Sequence, residues 1–133
     1  MQKAEHDIRK MMQGFGQDTP TVPAIPDEDT KRLRRKLIDE EVNLELIPAI
    51  NDDDLQGIFD GGIDAIVVIL GTLVAYGLPA AKGWEEVLRS NLAKIDPTTG
   101  KVIKRPDGKV LKPEGWTAPD LGRIIQEALA GTE

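Results

Sequence analysis

Apolar residues recur along most of this chain at helical spacing. Ile8, Met11 and Met12 fall at i, i+3 and i+4 and predict a short helix over 5–13, ended by Gly14 and Gly16. Pro20, Pro23 and Pro26 then crowd the stretch DTPTVPAIPD (18–27). It must run extended, because proline has no N–H and biases its predecessor away from the helical region. Residues 27–30 offer N-cap side chains and early acids that suit a positive helix end. From there Leu33, Leu37, Ile38, Glu41 and Leu44/Glu45 keep the 3.6-residue period, predicting a second helix over about 29–50 with KRLRRK as its solvated basic face. NDDD (51–54) reads as a turn that caps a third helix, over about 55–76.

That third helix contains IVVIL (66–70), which in isolation resembles a strand. Its apolar pattern is too long for one and is apolar nearly all round, so it belongs at a bundle centre or a subunit interface. A chain this small has too little of itself to cover such a helix, and at least a dimer is expected. The run Ile63–Leu78 only approaches membrane-spanning length and holds Asp64, with Asp60 just before it, so it reads as a buried helix. Gly77 and Pro79 are expected to stop it. WEEVLRSNLA (84–93) predicts a shorter amphipathic helix with Trp84, Val87, Leu88 and Leu92 inward. Two alternating segments, Lys101–Lys104 and Lys109–Lys112, flank Arg-Pro-Asp-Gly and predict a small hairpin. A last helix is expected over about 119–129. The fold class is therefore all-α: a single-domain helical bundle completed by oligomerisation, with a small C-terminal β-hairpin-like lysine-rich arm.

Composition narrows the chemistry. The 133 residues carry 17 Lys+Arg against 23 Asp+Glu, a net charge of −6 that disfavours nucleic acid and anionic membranes as partners. There is no cysteine, and the one histidine, His6, sits near the start. Thiolate and His-rich sites are thereby excluded, and any bound metal should be a hard, oxygen-ligated ion such as Mg²⁺ or Mn²⁺. The opening MQKAEHDIRKMM lacks the apolar core of a signal peptide, which points to the cytoplasm. Neither a P-loop nor a dinucleotide-binding loop is present, and Ser90-Asn91 has no histidine partner for nucleophilic work.

Two signals remain. The pairs Glu41/Glu45 and Asp60/Asp64 each stand at i, i+4, so each lies on one helix face. Stacked carboxylates repel unless a cation sits between them, although solvated acidic faces are the commoner case. Glu41 alternates with Leu37 and Leu44 on the apolar stripe, and Asp64 is bracketed by Ile63 and Ala65-Ile66-Val67, which favours the metal reading. The second signal is a basic tail, with Arg89, Lys94, Lys101, Lys104, Arg105, Lys109 and Lys112 within 24 residues. Such a tail beside an acidic helix pair suits a polyphosphate, and equally suits a hairpin whose edges lysines protect.

The ordered series LIDEEVNLELIPAI, FDGGIDAIVVILGTLVAYGL, EVLRSNLAK and GKVIKRPDGKVLKPEGW resembles the MazG-like all-α nucleoside triphosphate pyrophosphohydrolases, in particular the phosphoribosyl-ATP pyrophosphohydrolase-like branch of phages and bacteria. The resemblance runs from about Ile8 to Leu121. It implies a homodimer or homotetramer that hydrolyses an NTP or dNTP to the monophosphate and pyrophosphate with Mg²⁺. It further implies that Glu40 and Glu41 match the paired glutamates of the first metal helix, also the catalytic pair, that Glu45 is a third carboxylate, and that Asp60 and Asp64 match the second metal helix. Asn91 and Lys94 match the N-x-x-K substrate contact, and Lys109 and Lys112 the D-G-K-x-x-K tail that closes on substrate. A catalytically impaired nucleotide-binding or structural assembly of the same fold is the alternative. Two departures, Leu88 for a frequent histidine and Val67 or Val68 for a common tyrosine, bear on base or sugar selectivity.

Against the family's E-E-x-x-E, the chain reads Glu40-Glu41-Val42-Asn43-Leu44-Glu45, one residue too many. In a regular helix the insertion turns everything after it by about 100°. A π-bulge absorbs one residue by an i→i+5 bond, and Pro48, whose ring clashes with the carbonyl of residue 44 in a regular helix, favours one. A bulge or kink between Asn43 and Pro48 is therefore expected, returning Glu45 to the metal face.

Overall fold

The computed structural model describes residues 1–131 and is mostly helical. Helix α1 spans Gln2–Gly14, three residues longer at its start than the periodicity indicates. Helix α2 spans Glu28–Ile38, capped by Asp27, whose side chain accepts from the Thr30 N–H at 2.7 Å. It passes without a break into a π segment, Asp39–Leu46, and then into α3, Ile47–Asn51. Helix α4 spans Leu55–Ala75, with the Asp54 side chain accepting from the Gly57 N–H. After it come α5 (Ala80–Leu92) and α6 (Leu121–Ala130).

The expected bulge is present, and it begins upstream of the expected span. Across its C-terminal end the Ile47 N–H donates to the Val42 carbonyl, five residues back. Pro48, which has no N–H to donate back into the π segment, follows as the second residue of α3. The extra residue, Leu44, sits exposed at the surface. Downstream, α4 approaches so closely that a Cβ on Gly61 would stand 3.1 Å from the Leu46 Cα, so glycine there lets the two backbones meet.

The core lies where α1, α4 and α5 meet: Ile8, Met12, Leu70, Val74, Ala75 and Ala80 form one buried cluster. The proline-rich lead-in is irregular, as its prolines require, and is tied down at both ends. Arg9 donates to the Thr19 carbonyl at 2.8 Å, and the Ala24 N–H donates to the Tyr76 carbonyl at 3.0 Å. The lead-in crosses directly over Gly77, which has φ +66, and a Cβ there would lie 2.1 Å from the Val22 carbonyl oxygen.

Several expectations need correction. Helix α5 begins four residues before Trp84, at Ala80, so Pro79 starts a helix as well as ending the previous turn. Its start is completed by a distant side chain: Glu5 on α1 accepts from the Ala81 N–H at 2.8 Å. Trp84, Val87, Leu88 and Leu92 are exposed rather than inward, because α6 comes beside Trp84 and Val87 without covering that face. The arm is a three-stranded antiparallel sheet and not a lone hairpin. Its strands are β1 (Ile95–Asp96), β2 (Lys101–Lys104) and β3 (Val110–Leu111), in that order, with Ile95 opposite Val102 and Ile103 opposite Leu111. Arg34, inside the basic run KRLRRK, is buried rather than solvated.

Helix α4 is long and apolar enough to cross a membrane by length and composition, a property it shares with core helices of bundles. It packs on the π segment and on α1, α2 and α3. One side nevertheless lies bare, with Phe59 73% and Ile66 56% exposed and Leu55, Ile63 and Ile69 beside them.

Candidate metal centre

The π segment and α4 together bring three carboxylates to one point. Glu41, Glu45 and Asp64 each offer an oxygen, and these oxygens lie within 4.8 Å of one another. Glu41 and Glu45, four residues apart, share one face of the segment, and the i→i+5 bond absorbs the inserted residue so that this face stays turned to α4. Glu41 and Asp64 are half-buried, Glu45 is exposed, and Glu41 Oε2 is buried with no hydrogen-bond partner in the described structure.

Such a cluster is strained when it is empty of cations. Burial pushes the Glu41 carboxyl up to about 7, with further upward contributions from the adjoining Glu45 and then from the charges of Asp64 and Glu40. Asp64 is also raised, first by burial and then by Asp60 and Glu45. An orphaned carboxylate oxygen inside an all-oxygen donor set fits a hard divalent cation. Glu40 and Asp60 stand outside the cluster. Glu40 lies 3.8 Å from Lys36 Nζ, and Asp60 is an exposed neighbour one turn before Asp64.

The candidate substrate residues gather elsewhere. Trp116, fixed by its indole N–H donating to the Ser90 carbonyl at 2.7 Å, carries Lys112 Nζ 4.5 Å and Lys94 Nζ 5.5 Å from its ring centroid. Lys94 also donates to Asn91 Oδ1 at 3.2 Å. Among the described residues neither ammonium is ion-paired with a carboxylate. Lys109 is exposed on the β2–β3 turn, where its carbonyl accepts from the Arg105 N–H. Trp116 carries little sequence signal, because an isolated tryptophan in a Pro/Gly-rich stretch shows no periodicity; the Lys-Pro-Glu-Gly-Trp spacing that lets Lys112 fold back over the ring is its one local mark.

The profile of the phosphoribosyl-ATP pyrophosphohydrolase family matches residues 8–91, more than half of the chain, and spans all three clustered carboxylates. The chain belongs to that family, within the MazG-like all-α pyrophosphohydrolase superfamily. A search of curated proteins gave no match. The family's activity is that of a pyrophosphohydrolase on a nucleotide-like substrate, and its sites are typically metal-dependent.

Proposed function

We propose that the protein hydrolyses a nucleoside triphosphate, NTP or dNTP, to the monophosphate and pyrophosphate, with Mg²⁺ or its substitute Mn²⁺ held by Glu41, Glu45 and Asp64. The convergence of those carboxylates around an unpartnered Glu41 oxygen, in a chain of this family, supports the reading. When bound, the ion supplies polarisation of the phosphate and a lower pKa for the attacking water. Glu40, adjacent to the cluster but not drawn into it, orients that water and accepts its proton. As the water oxygen bonds to phosphorus, the bridging P–O bond breaks and pyrophosphate leaves with the electron pair. Asp60 adds negative charge at the cation's edge. Lys94 and Lys112, held over Trp116, with Asn91 and Lys109 nearby in sequence, neutralise the polyphosphate.

The bare side of α4 is covered by a second copy of the chain in a cytoplasmic homodimer or homotetramer, not by lipid, since the same helix carries Asp60 and Asp64. An impaired module would follow from an irregularity at Leu44–Pro48 that displaced Glu45, and the π segment leaves Glu45 in the cluster. The test is pyrophosphate release from the eight common NTPs and dNTPs, and from phosphoribosyl-ATP, with Mg²⁺. Release from at least one, lost at least a hundredfold in Glu41→Gln and Asp64→Asn, is expected. No release from any of them overturns the reading.

A further inference from the structure

Arg34 plays no part in the chemistry above, yet it is placed unlike its neighbours. Arg32 and Arg35 are exposed and paired with Asp29 and Glu28, whereas Arg34 is 5% exposed. Its guanidinium enters the seam between α2 and α4. There Nη2 donates to the Val68 carbonyl at 2.9 Å and Nε donates to Thr72 Oγ1 at 3.1 Å. The Thr72 hydroxyl in turn donates to the same Val68 carbonyl at 2.8 Å, closing a ring of three bonds. All its acceptors are neutral. The space exists because residue 71 is glycine: a Cβ there would lie 2.5 Å from Nη2.

A buried cation without a carboxylate partner is a poor stabiliser, and an apolar side chain of similar volume often serves stability better. What the fork does provide is register. Arg34 precedes Glu41 by seven residues, about two turns and about 10 Å along the axis, so both lie on one face of the same helix. Val68 follows Asp64 by one turn on α4. The clamp and the carboxylate cluster therefore share one pair of helix faces, and between them begins the π segment. An i→i+5 stretch can relax to i→i+4 if one end turns against the other, and that turn would rotate Glu41 and Glu45 away from Asp64 on α4. Both ends are held here: Leu46 lies against Gly61 downstream, and Arg34 is bonded to α4 upstream.

We propose that Arg34 is a positioning residue, whose bonds to Val68 and Thr72 fix α2 on α4 and so hold Glu41 and Glu45 against Asp64. The proposal rests on the metal reading of that cluster. Mn²⁺ titration of the full chain by calorimetry and electron paramagnetic resonance tests it apart from turnover. Arg34→Met and Arg34→Lys are both expected to weaken Mn²⁺ binding about tenfold, since an ammonium cannot reproduce the guanidinium fork. Val74→Ala, in the core cluster, should lower the melting temperature and leave the Mn²⁺ Kd within about twofold of wild type, as a cavity distant from the cluster does. Wild-type affinity in both Arg34 variants, or an equal loss in Val74→Ala, overturns the proposal. If Arg34→Met does not fold, Arg34→Lys and Thr72→Val decide, the latter expected to weaken binding severalfold. A wild-type protein that binds no Mn²⁺ removes the metal reading itself, whatever Arg34 does.

Discussion

Protons and a divalent cation compete for Glu41, and the competition has a calculable pH dependence. Burial and the adjoining Glu45, Asp64 and Glu40 hold its carboxyl at about 7, against 4.5 for an ordinary glutamate. A group of that pKa is about one-tenth ionised at pH 6 and about nine-tenths ionised at pH 8. A metal that needs the ionised form should therefore bind about tenfold more tightly at pH 8 than at pH 6, and no more tightly above. Asp64, raised in the same direction, steepens the acid end of the curve. The sign reverses for the metal-free protein. Its folded state retains a proton that the unfolded chain releases, so stability falls as pH rises from about 4.5 through about 7. Mn²⁺ calorimetry at pH 6, 7 and 8, with thermal melts in chelator over the same range, measures both slopes. Glu41→Gln should bind little metal, and in chelator it should melt higher than wild type at pH 8. A flat metal affinity between pH 6 and 8, or a chelator melt that rises with pH, refutes the reasoning.

Three further outcomes follow from the packing. Deleting Leu44, the exposed surplus residue, should restore an i→i+4 ladder and leave the melting temperature and Mn²⁺ affinity near wild type. Deleting Ile69, also exposed but within regular α4, turns the rest of that helix by about 100° and should destroy both; equal damage from the two deletions would count against the π segment as the absorber. Ile66→Asp on the bare side of α4 should shift the mass seen by sedimentation to that of one chain, and a wild-type protein already of that mass would exclude the assembly. Gly77→Ala should cost about 2 kcal/mol or more by urea unfolding, from a left-handed backbone and a Cβ driven into the Val22 carbonyl, and a near-neutral effect would refute the crossing.

What the sequence discloses and what it hides divide along sequence distance. Helix α4 is legible because length alone separates a helix from a strand, and its exposed Ile66 and Ile69 are legible as the excess apolar surface of a small chain. The lead-in is legible because proline's constraint is local. The π segment is legible too, since one surplus residue and a proline four positions later both act within two turns. The start of α5 is not, because its N-terminal acceptor comes from Glu5, on another helix. Strand β1 escapes because two residues carry no alternation, and they pair only once β2 exists to receive them.

Arg34 is the clearest case of concealment. In the run KRLRRK it has the same composition around it as Arg32 and Arg35, and a 3.6-residue period assigns charge to the solvent side. Its burial depends on Gly71 and Thr72, nearly forty residues away, which supply the space and the acceptor. The candidate site shows both kinds of information at once. The carboxylates announce themselves by residue type and by i, i+4 spacing, whereas the contacts that hold them in register, Leu46 on Gly61 and Arg34 on Val68, exist only where the π segment and α2 meet α4. A substitution at Gly61 should therefore disturb Glu41 and Glu45 by displacing Leu46, and one at Gly71 by displacing Arg34, neither touching a carboxylate of the cluster, which a reading by motif alone does not anticipate.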